Sequence, residues 1–181
     1  RPVAIINPAT SVRCRYYCRF AAFLFDNGFD VITFDYRGIG ASTIPLGMRD
    51  TVSMRAWGQL DLSAVIDWVT HDLGSERLAV IAHSIGGQIV PLAVNAERIR
   101  AMLAISCQKG YWRLWPGWRR HVVYGFFRAY IPFCLRTFGH VPLEWVGLNR
   151  LERGVAEDYA RWTLRQHDCL DDKGGSLHLA H

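Results

Sequence analysis

The chain has 181 residues, half of them hydrophobic, and a formal net charge of +5. That is enough length and apolar surface to bury the core of one domain with an inserted subdomain, and it excludes intrinsic disorder. The basic residues are almost all arginine, 19 against 2 lysines, and are scattered between apolar residues, so a pI of 9.1 carries no nucleic-acid footprint.

Five cysteines, at 14, 18, 107, 134 and 169, share no repeated spacing beyond Cys14 and Cys18. No second pair or neighbouring histidine completes a metal site, so they are read as buried free thiols of a reducing compartment, the cytoplasm. The chain opens Arg-Pro-Val-Ala-Ile-Ile, already inside a strand and without an initiator methionine. A lost start is therefore expected, and a signal peptide is not visible.

Val3 to Asn7 is a short apolar run rich in branched residues, ended by Pro8, and is expected to be a buried strand. From Arg15 to Asn27 the apolar residues recur at three- and four-residue spacing before Gly28, which predicts a helix. Phe29 to Phe34 reads as a second strand, Asp35 to Ser42 as a glycine-bearing loop, and Ala56 to Leu73 as a second helix. Leu78 to Ala82 is a third strand, Gly86 to Asn95 a third helix, and Ala101 to Ile105 a fourth strand. Strands alternating with helices over short connections predict an α/β fold with a mostly parallel, doubly wound sheet.

The alternation stops near Cys107. Up to about Gln166 the chain is crowded with aromatics and arginines, which suits a helical cap inserted over one sheet edge; residues 167–181 read as a flexible tail. The aromatics of this insertion are expected to be mostly core. Within it, Val122 to Phe138 is apolar, but Arg128, Pro132 and Arg136 interrupt it, so the expectation is a buried or interfacial helix pair and no transmembrane segment.

Chemistry concentrates at Ala82-His83-Ser84-Ile85-Gly86-Gly87, between a predicted strand and a predicted helix. A serine held in a sharp strand-to-helix turn needs small residues two before and two after it, and Ala82 and Gly86 supply them. Ser84 is thus the candidate nucleophile. Ile85, at the helix start, presents an unpaired backbone N–H where an oxyanion would form. The second oxyanion donor is expected from the loop Asn7-Pro8-Ala9-Thr10. Pro8 has no N–H, so Ala9 is the first choice and Thr10 the second. Gly86-Gly87 lacks the spacing of a dinucleotide fingerprint and the lysine of a phosphate-binding loop.

With these residues in place, the chain resembles the α/β-hydrolase superfamily, and most closely bacterial members that carry an N-P-A-T strand end, a D-Y-R-G-I-G-x-S loop and an H-S-x-G-G-Q elbow. Here these are Asn7 to Thr10, Asp35 to Ser42 and His83 to Gln88, followed by Gly110-Tyr111-Trp112-Arg113 and Trp115-Pro116. The resemblance extends from Val3 to about Asp172 and has one departure, Ala82 where glycine is usual. It implies that the four strands are the third to sixth of the family sheet and that residues 107–166 are the cap, lining an apolar acyl or alcohol pocket. It further implies a serine hydrolase acting on a small apolar ester, less readily an amide or thioester, through an acyl-enzyme, without metal or organic cofactor.

The family's acid and histidine follow the serine, on loops after later strands. Asp171, Asp172, His178 and His181 stand in that order, but no apolar strand separates them, so the acid and base are expected outside this chain, which reads as truncated at both ends. His83 adjoins Ser84 with its side chain expected to point away, and Asp35 and Arg37 are expected to shape their loop. Two rival readings share the same residues: a non-catalytic hydrolase-like binding or scaffold protein, and an acyltransferase.

Overall fold

A computed structural model describes residues 1–107 and 109–165. They divide into two compact units, the first comprising residues 1–45 and 55–107, the second residues 46–54 and 109–165.

The first unit is built on a four-stranded parallel sheet. Its strands are β1 (Val3–Asn7), β2 (Asp30–Thr33), β3 (Leu78–His83) and β4 (Ala101–Ile105), in the order β2-β1-β3-β4. β1, the run of branched side chains, sits centrally and every residue of it is buried; such a run is what a strand covered on both faces requires. β2 and β4 are the edge strands, and β4 is exposed along its whole length.

Strand alternation divides β1 and β3 between two faces. Ala4, Ile6 and Ile81 pack with Tyr17 and Leu24 at the helix that follows β1. That helix, expected over 15–27, begins as a 3-10 turn at Cys14–Tyr17 and continues as α1 (Cys18–Asp26). Gly28, at φ 95°, ends it in a conformation open to glycine. On the other face Asn7 is fully buried and hydrogen-bonded to Tyr36, whose ring stacks on Trp57 at 4.6 Å. Trp57 belongs to α2, a helix over residues 54–72 with two stretches of wider π turns, Trp57–Leu62 and Trp68–Asp72.

The third helix is shorter than its sequence suggests. α3 (Ile85–Ile89) tightens into a 3-10 turn at Val90–Leu92, and Ala93 is extended. Pro91 lacks the N–H that would continue an α-helix, which explains the early end. Gly58 of α2 lets this turn approach closely: an added Cβ there would strike the Leu92 side chain and lie 2.9 Å from the Ile89 carbonyl oxygen.

The second unit contains α4, a helix over residues 119–137 with a π stretch at Phe126–Tyr130, and α5 (Arg153–Leu164). Between them lies a short antiparallel pair, β5 (His140–Val141) with β6 (Leu151–Glu152), which the sequence pattern does not announce because two residues carry no periodicity. Segment 46–54 joins this unit through the Met54 N–H, which donates to Asp158 at 3.1 Å, and through Gly154, whose missing Cβ leaves room for the Val52 carbonyl.

The aromatics of this unit correct the expectation of a mostly buried set. Trp162 is buried, but Trp115, Trp118, Phe126, Phe133 and Phe138 are exposed.

Candidate active site

Ser84 lies between the last residue of β3 and the first of α3. Its backbone stands at φ 53° and ψ −120°, a region that L residues avoid because Cβ crowds the neighbouring peptide. Three contacts hold it there. The Ser84 N–H donates to the Ile105 carbonyl at the end of β4 (2.9 Å), and the Ser84 carbonyl accepts from the Gly87 N–H (3.2 Å). The third is made through Asn7, whose Nδ2 donates to the Gly86 carbonyl at 2.7 Å.

The small residues around Ser84 are sterically required. A Cβ on Gly86 would sit 2.5 Å from the Asn7 carbonyl oxygen and 2.9 Å from that of Pro8. One on Gly87 would sit 2.5 Å from Cys107 Sγ and 2.8 Å from its Cβ. Ala82 is fully buried and pairs in register with Asn7. Its carbonyl accepts the Cys107 thiol at 3.3 Å.

Ile85 opens α3 and is buried, so its backbone N–H belongs to the first turn, where no carbonyl four residues back is available to it. Ala9 is placed differently from the expectation. Its N–H donates to the Tyr17 hydroxyl at 2.9 Å and is engaged, not open. The same hydroxyl lies 2.9 Å from His83 Nδ1, with the two rings edge to face. His83 is thereby turned to the α1 face of the sheet, and burial raises the Tyr17 hydroxyl above the usual tyrosine range.

Asn7 and Tyr17 are the residues that sequence reasoning passed over. Their signal was a polar side chain closing a fully apolar strand and a tyrosine at a helix start; neither reveals its partner without the fold. The DYRG loop is tied both within itself and to neighbouring segments. Asp35 accepts from the Cys14 N–H (2.6 Å) and the Ala41 N–H (3.0 Å), and Arg37 grips Asp61 through both its backbone N–H and its guanidinium.

The described histidines other than His83 have partners elsewhere: His71 on Arg98, His121 on Arg120, His140 on the Phe138 carbonyl. Asp171, Asp172, His178 and His181 lie outside the described residues, as do His167 and Cys169. Among the described residues, Cys14, Cys18, Cys107 and Cys134 are free thiols, but only Cys134 is buried and Cys18 is exposed, which corrects the expectation of buried thiols; no cluster of three or more His, Cys, Asp or Glu among these residues could hold a metal ion.

Ser84 thus stands at positive φ between a parallel strand and a helix, followed by two tightly packed glycines. The family model of the alpha/beta hydrolase fold matches residues 8–137. The chain belongs to the α/β-hydrolase fold family. A solved structure described as an extracellular alpha/beta-hydrolase from a Paenibacillus species, with structural and functional homology to Tobacco Salicylic Acid Binding Protein 2, is similar to it at 15% identity and a TM-score of 0.51. That match takes in 90% of this α/β-hydrolase chain and 66% of the other, and at this identity it speaks for the fold alone. No curated protein matches the chain.

Proposed function

We propose that Ser84 is the nucleophile of an ester hydrolase. The observation that carries this is its backbone at φ 53°, kept in place although strain disfavours it, with Gly86 and Gly87 packed so tightly that no side chain fits. Strain of this kind persists where surrounding structure over-determines it, and it holds the side chain clear of the strand and helix it joins.

In the proposed reaction, Ser84 Oγ attacks the ester carbonyl carbon and its proton passes to a general base. The C–O bond to the alcohol then breaks, and the alcohol departs with that proton. Water attacks the acyl-enzyme, releasing the carboxylic acid and restoring the serine hydroxyl. The Ile85 N–H, at the positive end of α3, is one donor to the tetrahedral oxyanion. Because Tyr17 engages Ala9, the second donor falls to Thr10. It has no hydrogen bond from its N–H among the described residues, and its hydroxyl is buried without a partner there. Ala9 remains a donor only if an oxyanion draws its N–H from the phenol. The base and its carboxylate come from outside the described residues. An apolar ester suits this reading better than an amide, whose poorer leaving group asks more of the general acid.

The test is fluorophosphonate labelling, with intact-mass readout, of the protein together with the segments that carry its acid and base, since a serine without them is a poor nucleophile. One adduct, absent in Ser84→Ala, supports the proposal. A folded protein of that extent that takes no adduct refutes it and leaves a hydrolase-like binding protein. Product analysis with an added alcohol separates hydrolysis from acyl transfer.

A further inference from the structure

We infer that α4 and the segment before it form a docking face for an anionic lipid surface, on which the protein lies without crossing the bilayer. The inference stands apart from the chemistry at Ser84. From Trp118, the residue that caps α4, the side chains of Trp118, Val122, Phe126, Tyr130 and Phe133 follow one another at spacings of four, four, four and three residues, and all are exposed. Trp118 is 73% accessible, Val122 57% and Phe133 58%. That spacing places them along one side of a helix. The rings of Phe126 and Tyr130 stack at 5.1 Å, as neighbours on one stripe must. A different side of the same helix carries Ile131, Cys134 and Leu135, which are buried. α4 therefore has an apolar side for its own unit and a second one facing solvent.

The charge along this stretch of the chain has one sign. From Arg98 to Leu143 the sequence contains no Asp or Glu, while Arg113, Arg119, Arg120, Arg128 and Arg136 are all exposed. Leu114 and Trp115, just before the helix, are exposed as well. Tryptophan, tyrosine and phenylalanine beside arginine are the side chains that settle at the boundary between headgroups and acyl chains, the rings in the apolar layer and the guanidinium groups on anionic phosphates. A neutral apolar partner would leave five guanidinium groups without counter-charge. A bilayer span is a different matter: no helix among the described residues is long and apolar enough to cross a membrane.

The experiment is co-sedimentation of the full chain with vesicles of phosphatidylcholine alone and of phosphatidylcholine mixed with phosphatidylserine. Binding to the mixed vesicles is expected, weakened by salt through screening of the arginines. The double variant Trp118→Ala/Phe126→Ala, whose sites are exposed and whose folding is checked by circular dichroism, should bind at least about tenfold more weakly. Arg119→Gln/Arg120→Gln should lose most of its preference for the anionic vesicles. Ser84→Ala should bind like the parent chain, which keeps this test separate from the hydrolase reading. No binding to the mixed vesicles overturns the inference, as does binding unchanged in both double variants. Self-association without lipid that is abolished by Trp118→Ala/Phe126→Ala also overturns it, in favour of a second copy.

Discussion

The Asn7 amide donates to the Gly86 carbonyl at 2.7 Å, across 79 positions of sequence, and so ties the end of the central strand to the first turn of the helix after Ser84. The same side chain accepts the Tyr36 hydroxyl at 2.6 Å, both partners buried. Removing one side of a buried hydrogen bond leaves the other unsatisfied. Asn7→Ala is expected to cost about 2–4 kcal/mol, seen as a lower urea midpoint at unchanged slope. Asn7→Asp should be no better: it keeps the acceptor for Tyr36 but sets a carboxylate oxygen against the Gly86 carbonyl.

Gly86 and Gly87 differ in what they face, and their alanine variants should rank accordingly. Gly86→Ala meets backbone oxygens of Asn7 and Pro8, which move only with the strand. Gly87→Ala meets the Cys107 side chain. Overpacking costs about 1–3 kcal/mol, and Gly86→Ala should lie at or beyond the upper end, with Gly87→Ala below it. Denaturant unfolding of the two variants decides the order; equal losses would mean that Cys107 is as fixed as the backbone.

Ser84 stores backbone strain, which glycine would relieve. Relief of about 1–3 kcal/mol is partly offset by the greater freedom of glycine in the unfolded chain, so Ser84→Gly should gain about 1 kcal/mol. Ser84→Ala keeps Cβ and the strain and should gain less. The difference in thermal midpoint between the two variants is the measurement.

Alkaline pH should unfold the protein through its buried tyrosines. Burial raises the Tyr17 hydroxyl and pushes Tyr36 far up, so both keep their protons in the native state where the unfolded chain has lost them. The unfolded state then binds fewer protons, and stability falls as pH rises above the ordinary tyrosine value of about 10, with no such loss below it. Urea midpoints measured from neutral pH upward should show this decline, and Tyr17→Phe should make it shallower.

Within the first unit, what the sequence determined by itself was everything that depends on neighbours along the chain. Val3 to Asn7 is a buried strand because four consecutive apolar residues, Val3 to Ile6, can be covered on both faces, and Ser84 sits in a turn because small residues flank it at a strand-to-helix change. Pro91 was equally visible, yet its effect on α3 was missed because apolar periodicity outlasts the hydrogen-bond ladder that proline interrupts. Only the tertiary structure decided which polar groups meet. Asn7 with Gly86 and Tyr36, and Tyr17 with His83, join segments far apart in sequence, while Ala9 with Tyr17 closes a loop whose path the local pattern does not reveal. The exposed stripe of α4 belongs to the same class. Apolar spacing marks a helix side that wants cover, whereas which of two such sides finds it inside the protein is settled by packing.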